Sequence, residues 1–165
     1  MQKVIVIGCP GSGKSCFSRA LHAGTGLPLQ HLDLIYWNAD RTTVPRDTFL
    51  GRLRAILETD AWIIDGNYLS TLELRLQACD TVFFLDLPAD TCLKGILKRR
   101  GRPRPDMPWI EPAEDVDAGF LSFVQNFRTD ARPQVLALLE KYAEKRIVTF
   151  QNHAEADAFL QQLCS

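Results

Sequence analysis

Gly8-Cys9-Pro10-Gly11-Ser12-Gly13-Lys14-Ser15 completes the pattern G-x-x-x-x-G-K-[ST], and its flanks are those such a loop requires. Val4-Ile5-Val6-Ile7 before it is a short continuous apolar run, suited to a strand buried on both faces. After it, Phe17, Ala20 and Leu21 recur at helical spacing and Gly24 supplies a stop. Strand, glycine loop and helix in this order aim backbone N–H groups into one concavity at a helix N-terminus, where the macrodipole favours a polyanion. Glycines at 8, 11 and 13 let phosphate oxygens approach where a Cβ would stand. The expectation is a nucleoside triphosphate site. Gly8, Pro10, Gly11, Ser12, Gly13, Lys14, Ser15 and Cys16 would form its wall, Lys14 would reach the β- and γ-phosphates, and the Ser15 hydroxyl would join a Mg²⁺ shell.

The composition sets the frame. A chain of 165 residues, 46% hydrophobic and 24% charged, is sized and composed like one ordinary globular domain, so residues 1–165 are expected to form a single unit. A net charge of −1 provides no global field for DNA or anionic membrane. No apolar run approaches the roughly 20 residues needed to cross a bilayer. Met1-Gln2-Lys3 leads straight into the first strand without a signal peptide's apolar segment, so a cytoplasmic location is expected. Five cysteines (Cys9, Cys16, Cys79, Cys92, Cys164) form no C-x-x-C pair, which suits reduced thiols rather than a disulfide framework or zinc site. His22, His31 and His153 have no ligand spacing.

Four further strand candidates alternate with helical stripes: Leu27–Leu32, Ala61–Ile64, Thr81–Leu85 and Arg146–Phe150. The stripes are Phe49–Leu57, opened by Pro45; Cys92–Leu97; Phe120–Phe127; Val135–Tyr142, separated from the last by Arg132-Pro133; and Ala156–Leu163. Buried strands alternating with amphipathic helices mean a mostly parallel α/β sheet, in which ligands bind beyond the carboxyl ends of the strands. The glycine loop, Asp33, Asp65 and Asp86 all fall there. Either Asp65, after Trp62-Ile63-Ile64, or Asp86, after Thr81–Leu85, could organise Mg²⁺, and the choice needs the strand order. Asp33 would face the cleft from the other side and orient, or take a proton from, an attacking hydroxyl. Asn67 and Tyr68 would line the same cleft, and Tyr36, Trp37 and Arg46 sit in the insert after the second strand, where a ring could stack.

Residues 98–117 fit no core element. The segment holds four of the nine prolines, and Arg99, Arg100, Arg102 and Arg104 are clustered near its start. A loop this long inside a compact domain reads as a lid, and its arginines would surround a phosphoryl group in transfer. Arg100 would hold the nucleotide, with Arg102 and Arg104 acting on the transferring group. Arg128 and Arg132, four apart, would form a second clamp.

Together these segments resemble the P-loop small-molecule kinases, the adenylate-kinase-like and shikimate-kinase-like group. The resemblance implies a three-layer α/β/α P-loop NTPase fold, a five-stranded parallel sheet in the order 2-3-1-4-5, an arginine-rich lid and an acceptor-binding insert after strand two. That order puts the Asp65 strand beside the glycine-loop strand and so favours Asp65 over Asp86. Within the group the chain is similar to the DNA topology modulation proteins (FlaR-like), through the glycine loop, His31-Leu32-Asp33 with Tyr36-Trp37, Trp62-Ile63-Ile64-Asp65-Gly66-Asn67-Tyr68, Thr71-Leu72 with Arg75-Leu76, Arg100-Gly101-Arg102 with Arg104-Pro105-Asp106, and Asn126-Phe127-Arg128. It departs from shikimate kinases, which carry two acids two residues apart where Asp33 is followed by Leu34 and Ile35. It departs also from adenylate kinases, which carry Asp-Gly-Phe-Pro-Arg where this chain has Asp-Gly-Asn-Tyr.

The resulting expectation is transfer of the ATP γ-phosphoryl group, with Mg²⁺, to a small acceptor, a nucleotide or nucleoside ahead of a sugar or acid. The protein would be a monomer or weak homodimer with no membrane or principal DNA partner. The rival expectation is a nucleotide-binding regulator linked to DNA topology.

Overall fold

The computed structural model describes residues 1–114 and 117–163. Asp115 and Val116 of the expected lid, and Cys164, lie outside them. Among the described residues five strands form one sheet: β1 (Lys3–Gly8), β2 (Leu29–His31), β3 (Trp62–Asp65), β4 (Thr81–Leu85) and β5 (Arg146–Phe150). All neighbours are parallel and the order is β2-β3-β1-β4-β5, as the resemblance implies.

The central strands are apolar on both sides because helices cover both faces. Alternation assigns Val4, Val6, Phe83 and Leu85 to one layer, packed with Phe17, Leu21 and Phe150. Ile5, Ile7, Ile64, Val82 and Phe84 go to the other, packed with Leu53, Leu72, Leu76 and Val135. The helices are α1 (Lys14–Thr25), α2 (Leu32–Tyr36), α3 (Arg46–Leu57), α4 (Leu69–Ala78), α5 (Ala89–Arg99), α6 (Ala118–Gln125), α7 (Phe127–Asp130), α8 (Arg132–Lys141) and α9 (His153–Leu163). None of them, among the described residues, is long and apolar enough to cross a membrane.

Several local expectations need correction. Gly24 does not stop α1, which runs to Thr25 and is capped by Gly26 at φ 71°. The Phe120–Phe127 stripe is two helices, because Asn126 leaves the helical region with φ −96° and ψ 3°. The separation expected at Arg132-Pro133 is found: α8 begins at Arg132, with Pro133 in its first turn, where a missing N–H costs nothing. Lys98 and Arg99 belong to α5 rather than to the lid. Helix α4 was not anticipated at all, because a charged residue, Arg75, sits on its buried face between Leu72 and Leu76. Cys9, Cys79 and Cys92 are buried and Cys16 is exposed, all as free thiols.

Candidate functional site

The turn after β1 is built against a neighbouring helix. Gly11 lies at φ 82°, and a Cβ there would stand 2.0 Å from the Cys92 carbonyl oxygen on α5. Gly95, one turn further on, is reciprocally placed: its Cβ would lie 2.1 Å from the Gly11 carbonyl oxygen. Only glycine permits this backbone-on-backbone contact. Gly13, at φ 92°, leads into α1 with no side-chain cap, so the first turn of α1 keeps its N–H donors for a ligand. Lys14 Nζ donates to the Cys9 carbonyl at 3.1 Å. Burial pulls the Lys14 ammonium below its ordinary range, against the pull of nearby Asp65.

Strand order alone does not separate Asp65 from Asp86, since β3 and β4 both flank β1; their side-chain partners do. β3 lies against β1 with Val6 opposite Asp65, and the Ser15 hydroxyl donates to Asp65 Oδ2 at 2.6 Å. His31 Nδ1 meets the same oxygen at 2.7 Å, with both side chains buried. Asp65 Oδ1 is buried and has no partner among the described residues. A hydroxyl and an orphaned carboxylate oxygen are hard donors suited to Mg²⁺, which takes few protein ligands and completes its shell with water and phosphate. Among the described residues no cluster of three His, Cys, Asp or Glu could hold a metal on its own. Asp86, by contrast, is fastened at 2.8 Å by both Arg132 Nε and Arg132 Nη2. Burial pushes against the charged form of Asp86, but the Arg132 and Arg128 guanidiniums hold its carboxyl below the usual range.

Two cavities meet at the glycine loop. One, of about 790 Å³, is lined by Gly11, Gly13, Cys16, Arg19, Arg102 and α9 residues including His153 and Asp157. The other, of about 370 Å³, is lined by Pro10, Asp33, Trp37, Asp65, Asn67, Tyr68 and Trp109. Lys14, Ser15, Arg99, Arg104 and Asp106 border both. Arg100, expected to hold the nucleotide, lines the second cavity and not the first. Arg128 lines neither: it faces Asp86 at 3.6 Å, and its expected pairing with Arg132 is a pairing around that carboxylate. Gly8 and the fully buried Ser12 support the loop from beneath, Gly8 N–H donating to Asn67 Oδ1 at 3.2 Å. Arg46 is exposed at the start of α3.

Asp33 sits in the first turn of the short helix α2, where Tyr68 donates to its Oδ1 at 2.5 Å. Burial raises the Asp33 carboxyl, reinforced by the Asp65 and Asp106 charges and opposed by the Tyr68 hydrogen bond and by Lys14. Tyr68 takes a positive φ of 32°. It is held so by Arg75, fully buried on α4, whose guanidinium donates to the carbonyls of Gly66 (2.8 Å), Asn67 and Tyr68 (3.2 Å). Burial lowers this guanidinium to about 10, so it remains charged at neutral pH.

The segment expected to be a lid is braced by ion pairs, some within it and some to α1 and α5. Arg99 binds Glu111 through two bonds of 2.9 Å. Arg104 lies 3.2 Å from Asp106 and 3.5 Å from Glu111, and Arg19 reaches Asp106 at 3.4 Å. The lid touches the insert through Trp109, whose ring lies 6.0 Å from Trp37 and beneath Arg41 at 5.1 Å. Arg75, His31 and the lid carboxylates escaped the residue-by-residue reading. A basic residue at the i+3 position of a leucine stripe was the one available signal for Arg75.

No family model matches the chain and no curated protein matches it. Solved structures do. A shikimate kinase from Bacteroides thetaiotaomicron is 16% identical, with a TM-score of 0.58 over 97% of this chain and 94% of that one. A gluconokinase from Sinorhizobium meliloti 1021 is 17% identical, with a TM-score of 0.57 over 99% of this chain and 93% of that one. The chain thus has the three-layer, 2-3-1-4-5 fold found in P-loop kinases.

Proposed function

We propose that the protein is an ATP-dependent kinase that transfers the γ-phosphoryl group of ATP to a hydroxyl of a small acceptor, a nucleotide or nucleoside. The observation that carries this reading is the pair of cavities meeting at Lys14 and Ser15. The cavity lined by the glycines and α1 suits the triphosphate, and the one lined by Asp33 suits the acceptor. Their shared border is where a γ-phosphoryl group changes owner. Ser15 and Asp65 would hold Mg²⁺, which neutralises charge on the β- and γ-oxygens when bound. Lys14, Arg99 and Arg104 border both cavities and would surround the transferring group, with Arg102 reaching it from the nucleotide side. Asp33 would orient the acceptor hydroxyl and take its proton.

The narrower likeness to DNA topology modulation proteins rests on motif residues and specifies no acceptor. The neighbours named for shikimate and gluconate favour a sugar or acid kinase as the second reading. A net charge of −1 supports a small-molecule rather than a DNA ligand; the reading includes a cytoplasmic, single-domain protein acting as monomer or weak homodimer. MgATP is expected to raise the melting temperature, since a ligand at 100 times its Kd adds about 2.7 kcal/mol. An acceptor screen by ADP release should then find turnover. An unmoved melting curve overturns nucleotide binding; ATP-dependent DNA retention without turnover of any acceptor overturns the enzyme in favour of a regulator.

A further inference from the structure

Resting on the kinase reading, we propose that the acceptor is an uncharged ring compound carrying a hydroxyl and hydrogen-bond-accepting atoms, a nucleoside or its like, and not a carboxylic acid or a phosphate monoester. The charges of the two cavities differ in kind. The nucleotide-side cavity sets Lys14, Arg19, Lys98, Arg99, Arg102 and Arg104 against only Asp106 and Asp157, an environment for a polyanion. The acceptor-side cavity has four cations, Lys14, Arg99, Arg100 and Arg104. Facing them are five carboxylates: Asp33, Asp65, Asp106, Glu111 and Asp117.

The pairing within that wall sharpens the contrast. Arg99 is committed to Glu111, and Arg104 to Asp106 and Glu111, with Asp106 itself buried. An acidic acceptor would have to compete with these carboxylates for the same guanidiniums and leave them unpaired beside a like charge. An uncharged acceptor disturbs none of them.

Shape and polarity point the same way. Trp37, Tyr68, Trp109 and Phe120 contribute aromatic surface to this one cavity, and flat faces of that kind bury a ring. Three donors on its wall, Trp109 Nε1, Asn67 Nδ2 and Arg104 Nη2 (3.5 Å from Glu111), are buried without a hydrogen-bond partner among the described residues. Buried donors are almost always satisfied, so these call for acceptor atoms such as ring nitrogens or carbonyl oxygens in the ligand. Asp33 supplies the acceptor for a hydroxyl proton.

The test uses the full chain with saturating MgADP, whose own binding is measured in the same sample. Trp37 and Trp109 report the acceptor cavity by fluorescence, while Trp62, 1% exposed, gives a constant background. The probes are adenosine and thymidine, their 5′-monophosphates, shikimate and gluconate. At least one nucleoside should bind about tenfold or more tightly than its monophosphate and than either acid, a difference of ~1.4 kcal/mol. Glu111→Gln, which removes one carboxylate at almost constant volume, should narrow that gap by about tenfold. Tighter binding of a monophosphate or an acid overturns the proposal, as does failure of both nucleosides to bind at about 10 mM while MgADP still binds. Should Glu111→Gln fail to fold, the wild-type comparison decides alone. Loss of MgADP binding in the wild type overturns the kinase reading instead, so the two failures are told apart.

Discussion

The turns after β1 and β3 stand side by side in the sheet and face the same cleft, yet they are held in opposite ways. The first, residues 8–15, carries its own instructions: glycines at the tight approaches and a lysine at the helix start. The second, residues 65–68, has an unusual backbone at Tyr68 that only makes sense with Arg75, seven residues on and buried in another element. A turn that specifies itself is visible as a motif. A turn specified by a distant side chain is not, and its geometry is vulnerable to a substitution outside the cleft.

That contrast can be broken in four places. The largest effect is expected at Asp33, which the second turn positions through Tyr68. Asp33→Asn keeps the shape but not the charge, and acceptor-dependent ADP release should fall about 10²–10⁴-fold with MgADP binding within a few-fold of wild type. Equal losses of both would show that the two turns do not serve separate ligands. Lys14→Ala should cost phosphoryl transfer about 10²–10³-fold, the worth of one preorganised donor in a transition state. It should weaken MgATP binding as well, which Asp33→Asn should not. Arg75→Met touches neither cavity wall, yet it leaves three carbonyls without their charged donor, and should lower the unfolding free energy by about 1.5–3 kcal/mol. Denaturant titration measures this; unchanged stability would mean the second turn holds itself. The smallest change is a pH shift. The Tyr68 hydrogen bond favours the charged form of Asp33, whose carboxyl burial has already raised. In Tyr68→Phe that carboxyl should rise further, so the acid limb of kcat/KM, where the base is protonated, should move to higher pH. An unmoved limb would remove Asp33 from the proton's path.

How far the sequence could be read follows from the same distinction. All five strands and the glycine loop could be read because their signals are contiguous: apolar runs bounded by turn residues, and a motif that needs only its own neighbours. The sheet order could not choose Asp65 over Asp86, since both follow an apolar strand that flanks β1. Side-chain geometry then gave the reason, with Ser15 and His31 on one carboxylate and Arg132 on the other. Helix α4 was hidden by the residue that matters most in it, because Arg75 interrupts the leucine stripe that would have marked the helix. The segment expected to be a lid stands out by its arginines, but its acidic partners do not. Asp106 and Glu111 lie in a segment without periodicity, and nothing local pairs them with Arg104 and Arg99.

The interlocked backbones of Gly11 and Gly95 have a mechanical consequence. Side chains in contact can change rotamer and let two elements slide, but carbonyls packed where a Cβ would fit have nothing to yield. The glycine loop and the middle of α5 therefore move as one body. The residues that carry the lid away from the sheet begin only at the far end of that helix, where Arg100 is extended and Gly101 turns at φ 65°. Any closure of this segment over the cleft would pivot at that fulcrum, with α5 as its fixed arm and the glycine loop held level.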